Sequence, residues 1–115
     1  MNVAAGRGGF VVIYRWRLKP GFEADFIANW QRITDAARAE GSGGSSLFRA
    51  EDGSYVAIAR WPSRAARKAF FDRFDARADA QGAAMQARAE AAVLERLPAL
   101  EMDALIDDWA LEEIV

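Results

Sequence analysis

Residues 55–64, Tyr-Val-Ala-Ile-Ala-Arg-Trp-Pro-Ser-Arg, constrain the fold of this chain more than any other stretch. The run up to Trp61 reads as a strand. Pro62 turns the chain, and Ser63 is a good N-cap for a helix that follows. Trp61 therefore stands where sheet and helix diverge. A large aromatic at such a junction is either a wedge of hydrophobic core or the lip of a ligand cavity.

The other elements build outward from that junction. Residues 10–18 form a first strand, with Phe10, Val12, Tyr14, Trp16 and Leu18 on one face and Val11, Ile13, Arg15 and Arg17 on the other. A first helix is expected over 22–40, where Phe22, Phe26, Trp30, Ile33 and Ala37 recur at helical spacing before Gly41 ends it. A short strand at 46–50 and an Asp52-Gly53 hairpin turn lead into the 55–61 strand. A second helix is expected over 64–80, with Phe70, Phe71, Phe74 and Ala78 inward and an interruption at Gly82. A third covers 83–96, with Met85, Ala89, Val93 and Leu97 inward, until Pro98 stops it; a last strand spans 101–109.

The resulting order, β-α-β-β-α-(α)-β, is the ferredoxin-like α+β plan, a four-stranded antiparallel sheet with helices on one face. The uncovered face would carry Val11, Ile13, Val56 and Ile58. An apolar face of that extent predicts a partner. The economical partner is a second copy, which makes a homodimer of two packed sheets, a dimeric α+β barrel.

Composition narrows the chemistry. With 115 residues, 52% of them hydrophobic and 28% charged, the chain is expected to be one soluble domain. That domain is placed at 10–109, between a flexible arm at 1–9 and a tail at 110–115. There is no cysteine, which excludes disulfides, thiolate catalysis and Cys-type metal sites. There is no histidine, which removes the usual general base and the commonest transition-metal ligand. A net charge of −2 argues against nucleic-acid and anionic-membrane surfaces. No apolar run approaches the ~20 residues of a spanning helix, and residues 1–9 lack the apolar stretch of a signal peptide, so the expected location is cytoplasmic.

The Lys19-Pro20-Gly21 turn before a helix carrying Phe26, followed by Trp61-Pro62-Ser63 before a second helix, resembles the antibiotic biosynthesis monooxygenase family. The resemblance covers about residues 10 to 109 in order and spacing. It implies a dimeric α+β barrel with a pocket between helices and sheet in each monomer. The family includes cofactor-independent oxygenases of polyketide and quinol substrates, haem-degrading enzymes and many members without an assigned activity. The haem-degrading branch uses an asparagine on the first strand, a tryptophan ending the third strand and a histidine on the following helices. Trp61 matches the tryptophan, but the asparagine position falls on Tyr14 and the histidine position falls near Ala80. Haem degradation of that kind is not expected, and no cofactor or metal is.

Strand parity places Tyr14 and Trp16 on one face of the first strand, and Ala57, Ala59 and Trp61 on one face of the third. If Tyr14 and Trp61 line the implied pocket, two alanines beneath the helices leave room for a flat ligand or let a helix approach closely. Phe26, Trp30, Phe70, Phe71 and Phe74 would wall it. The Tyr14 hydroxyl, the tryptophan N–H groups and Asn29 are the polar groups in reach, so Tyr14, Trp61 and Asn29 are the candidate catalytic residues. Each also has a structural role open to it: Trp61 as core wedge, the phenylalanines as packing, Asn29 as a helix-surface residue.

Other clusters carry less. Arg15, Arg17 and Arg60 share the open face with Asp103 and Asp107 and are expected to form ion pairs. Asp107-Asp108 does not make a metal site, because consecutive strand residues point to opposite faces. Arg64, Arg67, Lys68 and Arg73, interleaved with Asp72 and Asp75, read as a solvated helix face. Two functions fit the whole. One is a cofactor-independent monooxygenase of a small aromatic, phenolic or quinol substrate. The other is a non-catalytic dimeric domain that binds a hydrophobic metabolite or maintains an assembly. An isomerase of this architecture would want a positioned acid–base pair, and the sequence offers none.

Overall fold

The structure, a computed structural model, describes residues 9–108. The expected arm up to Gly8, Trp109 and the tail from Ala110 lie outside the described residues. Strand β1 (Phe10–Leu18) alternates as its sequence dictates, burying Phe10, Val12, Trp16 and Leu18 with Tyr14 half-buried on the same face. Helix α1 (Glu23–Ala39) buries Phe26, Asn29 and Ala37. Gly41, at φ +101°, closes it: its N–H and that of Ser42 bond the carbonyls of Arg38 and Ala37. Strands β2 (Gly44–Arg49) and β3 (Tyr55–Trp61) form the expected hairpin, and the Ser63 hydroxyl accepts the Ala66 N–H at 3.0 Å to start α2 (Arg64–Arg73). Helix α3 (Ala80–Ala91) and strand β4 (Val93–Asp103) complete the chain.

The sheet is antiparallel in the order β2-β3-β1-β4, with three helices packed on one face in the ferredoxin-like plan. The core on that face divides in two. Trp16, Phe26, Tyr55, Ala57 and Ala89 form one cluster; Phe10, Val12, Ala37, Trp61 and Phe70 form the other. Tyr14 packs against both.

Three expectations fail in the second half of the chain, each for a local reason. Helix α2 stops at Arg73 instead of running to Ala80, because Phe74 turns extended and Asp75 accepts the Arg77 N–H. Asp79 then caps α3, accepting the Gly82 N–H at 2.7 Å, so Gly82 lies in a first turn and not at a break. A Cβ at Gly82 would sit 3.1 Å from the Ala76 carbonyl oxygen, so glycine lets the connecting loop approach. Finally, α3 ends at Ala91 and Val93–Asp103 is strand, with Pro98 inside it. The β1–β4 register shifts between the Ile13–Leu100 and Arg15–Leu97 pairs, so the proline sits in an irregularity of an edge strand, where its missing N–H is tolerated.

On the sheet's opposite face Ile13 lies across from Ile58 and Leu100, Val11 from Met102, and Val56 from Phe48. Phe48 and Leu100 remain 50% and 57% exposed. Arg15 and Arg17 pair with Asp52 of the hairpin turn at 3.7 and 3.9 Å, not with Asp103. Asp107 lies beyond β4 and meets Arg60 at 2.5 Å. Both side chains are largely buried, so the expected ion pair of Arg60 forms with Asp107, from a position past the strand and not within it.

Asn29, 4% exposed, is the hub of a polar network between helices. Its amide donates to Gln86 of α3 at 2.9 Å, and its carbonyl oxygen accepts from Arg32 at 2.7 Å. Arg32 in turn bonds the Ala76 carbonyl at 3.1 Å, tying the α2–α3 loop to α1. Removing the hub strands two polar partners. Asn29→Ala is therefore expected to lower the unfolding free energy by about 2 kcal/mol, read by urea denaturation. A variant as stable as the parent would show that the network holds nothing together.

Candidate functional site

The two core clusters do not close completely over the sheet. Tyr14 and Trp30 edge one side of the seam, and Trp61 and Phe71 edge the other. On the first side Tyr14 stacks on Trp16 with ring centres 5.7 Å apart and meets Trp30 edge-on at 5.5 Å. On the second, Trp61 lies 5.5 Å from Phe70 and 6.0 Å from Phe71. Such offset and edge contacts hold each ring set as a rigid wall. Ala59 and Ala37 line the cleft between them.

Register explains the gap. Ala59, which lines the cleft, is paired with Val12 of β1, so the third strand offers only a methyl group beside the Tyr14 ring. Ser45 is paired with Ala59 from the far side. The Ser45 hydroxyl accepts the Trp30 indole N–H at 3.0 Å and lies 2.8 Å from the Thr34 hydroxyl. Those bonds pin α1 to β2 and give the cleft one polar edge.

Beside the cleft, the Tyr14 hydroxyl is held by a residue expected on a solvated helix face. Arg67 turns inward from α2 and donates to the Tyr14 hydroxyl oxygen through Nη2 at 2.8 Å and Nε at 3.3 Å. Its guanidinium lies 5.3 Å from the Phe71 ring centre and 5.8 Å from that of Tyr14. Its neighbours Arg64 and Lys68 do face outward, paired with Glu101 and Asp72. With the hydroxyl oxygen accepting both bonds, the Tyr14 hydrogen is left to donate elsewhere.

Among the named candidates, the structure brings Tyr14, Trp61, Trp30, Ala59 and Phe71 together around the cleft. Trp16, Phe26 and Ala57 instead pack inside the first core cluster, and Phe70 and Phe74 pack in and against the second. Asn29 points its amide to α3. Ile33, Thr34, Ser42 and Ser45 also line the cleft. Ile33 was legible as part of the α1 stripe; Ser42 and Ser45 look like linker residues until the register of β2 is known.

The depression measures about 320 Å³ when the part open to solvent is counted, of which about 30 Å³ is cavity proper. That is room for about one or two water molecules. Phe71, 43% exposed, stands at its rim. Among the described residues no group of three or more Asp, Glu, His or Cys converges as a metal site, and no helix is long and apolar enough to cross a membrane.

Comparison with solved structures finds the same fold in proteins of low sequence identity. A protein of unknown function from Nitrosomonas europaea superposes with a TM-score of 0.64 at 16% identity, over 92% of this chain and 98% of its own. A protein from Mycobacterium tuberculosis gives 0.60 at 19% identity, over 88% and 98%. SnoaB, a cofactor-independent oxygenase from Streptomyces nogalater, gives 0.58 at 20% identity, over 85% and 94%. A search of curated protein sequences finds no match. The family profile described as antibiotic biosynthesis monooxygenase matches residues 9–87, well over half of the sequence. By that match, and with the fold its residues build, the chain belongs to the antibiotic biosynthesis monooxygenase family.

Proposed function

We propose that the chain is a cofactor-independent monooxygenase of a flat phenolic or quinol substrate bound in the aromatic cleft. The observation that carries this is the Tyr14 hydroxyl, held by Arg67 at the edge of a cleft walled by Trp30, Trp61 and Phe71. The family match and the likeness to SnoaB, a cofactor-independent oxygenase, support it. An anthrone-type CH₂ beside a phenol would be converted with O₂ to C=O, the second oxygen atom leaving as water. The substrate supplies all the electrons, so the protein's task is to hold the ring, exclude water and stabilise the anion formed when the substrate loses its proton. In this reading the Tyr14 hydroxyl, backed by Arg67, donates to that anion, and Trp61 orients the ring. Asn29 has no part in this proposal, since its side chain is engaged between helices.

One observation favours the alternative, a non-catalytic dimeric domain. The cavity of about 30 Å³ is far below the ~300 Å³ of a typical ligand pocket. Catalysis therefore requires Phe71 to swing from the rim and the walls to part. In both cases the working unit is proposed to be a homodimer through the open sheet face, whose Ile13, Ile58 and Leu100 form a continuous apolar strip.

Light scattering at micromolar concentration should give twice the 12.7 kDa chain mass. A monomeric mass would contradict the dimer. Oxygen uptake with anthrone and 1,4-dihydroxynaphthalene should exceed the protein-free rate, and Tyr14→Phe should lower the enhancement roughly 100-fold. Tight binding of these compounds with no uptake would support the non-catalytic alternative.

A further inference from the structure

We propose that the buried floor of the cleft is a binding site for dioxygen. This deepens the function proposed above: the gas site rests on the cavity itself, and its part in the reaction rests on that reading. The cleft is graded in depth. Phe71 at the rim is 43% exposed, whereas Ala37, Ala59 and Trp61 in its lining are 6%, 8% and 2% exposed. The cavity proper, about 30 Å³, is too small for a phenol ring and takes a body the size of one or two water molecules. A diatomic gas is of that size. The aromatic substrate needs Phe71 displaced; the floor needs no such movement to be filled.

The chemistry of the lining separates such a gas from water. A buried water needs several polar partners. Here the polar groups of the lining are turned to one another or to the backbone. The Ser45 hydroxyl is engaged with Trp30 and Thr34. The Ser42 hydroxyl donates to the Arg60 carbonyl at 3.1 Å and accepts the Gly44 N–H at 2.9 Å. The Tyr14 oxygen accepts from Arg67. What remains is methyl and ring surface, from Ala37, Ala59, Ile33 and Trp61. An apolar space of this kind stays dry and takes up apolar guests such as xenon. Dioxygen is likewise uncharged, apolar and a poor hydrogen-bond acceptor, so dispersion contacts with those atoms are enough to hold it. The oxygenation written above consumes one O₂ for each CH₂ converted, one atom entering the C=O and the other leaving as water. A substrate between Trp30 and Trp61 would meet that O₂ already out of water.

The test is nuclear magnetic relaxation of the alanine methyl groups of the full chain under matched pressures of oxygen and nitrogen. Dioxygen is paramagnetic and speeds the relaxation of the methyls it visits. Ala37 and Ala59 should gain at least roughly twofold more relaxation than the comparably buried Ala57, Ala89 and Ala92, which lie in the close-packed first core cluster. Ala59→Val, which fills the floor, should remove the excess at Ala37; Ala37→Val should remove it at Ala59 if the first variant does not fold. In turnover of 1,4-dihydroxynaphthalene, either variant should raise the KM for oxygen by a larger factor than the KM for the quinol. A uniform response of all these methyls overturns the gas site, while the monooxygenase reading stands, since oxygen could then arrive from solvent. A selective response with KM raised only for the quinol overturns the site's part in the reaction. If neither anthrone nor 1,4-dihydroxynaphthalene provokes oxygen uptake, the monooxygenase reading fails, and a selective response still upholds the gas site.

Discussion

Ala59 lies beside the Tyr14 ring on the helix-facing side of the sheet, between Val12 of β1 and Ser45 of β2, and the placement of nearly everything of functional interest depends on that mismatch in size. A large ring on one strand and methyl groups on the next leave the helix-facing surface of the sheet uneven. The helices cannot fill it with one continuous set of side chains. Instead, Trp16 and Phe26 gather on one side, and Trp61 and Phe70 on the other, with Tyr14 touching both sets. The cleft is the seam between them. Ser45, in its lining, anchors Trp30, and Arg67 reaches the Tyr14 oxygen from beside it.

The energetic character of this arrangement bears on function. Each wall is held by several ring contacts and by burial worth about 2 kcal/mol per large side chain. Phe71 differs: it is attached to the second wall at one edge and is nearly half exposed. A narrow cleft with one loosely held ring at its rim has a low cost of widening. That property suits the proposed reaction, which needs room for a flat substrate.

Strand and helix identity in the first half of the chain was legible because period and punctuation agreed. β1 alternates, α1 carries its stripe to a glycine cap, and Ser63 caps α2 after Trp61-Pro62. The second half was misread where side-chain chemistry, not periodicity, sets the boundaries. Asp75 and Asp79 look like surface charges on one long helix, but they accept backbone N–H groups and break it in two. Pro98 looks like a helix stop and lies in an edge strand. The site was half legible for a related reason. Parity gave Tyr14, Ala59 and Trp61, which follow from strand geometry alone. It could not separate Phe71 from Phe70, since adjacent helix residues differ by 100° and only packing decides which reaches the cleft. Nor could it distinguish Arg67, which turns inward, from the arginine and lysine around it, which do not.

The family tie establishes the fold and leaves the chemistry to the cleft. The central claim is that the seam opens to hold a flat phenol or quinol. It is tested most directly by a crystal structure of the chain grown anaerobically with 1,4-dihydroxynaphthalene. The account predicts the naphthalene ring between Trp30 and Trp61, a ring hydroxyl against that of Tyr14, and Phe71 displaced from the rim. A cleft as narrow as that described above, with the probe bound elsewhere or not at all, would contradict it.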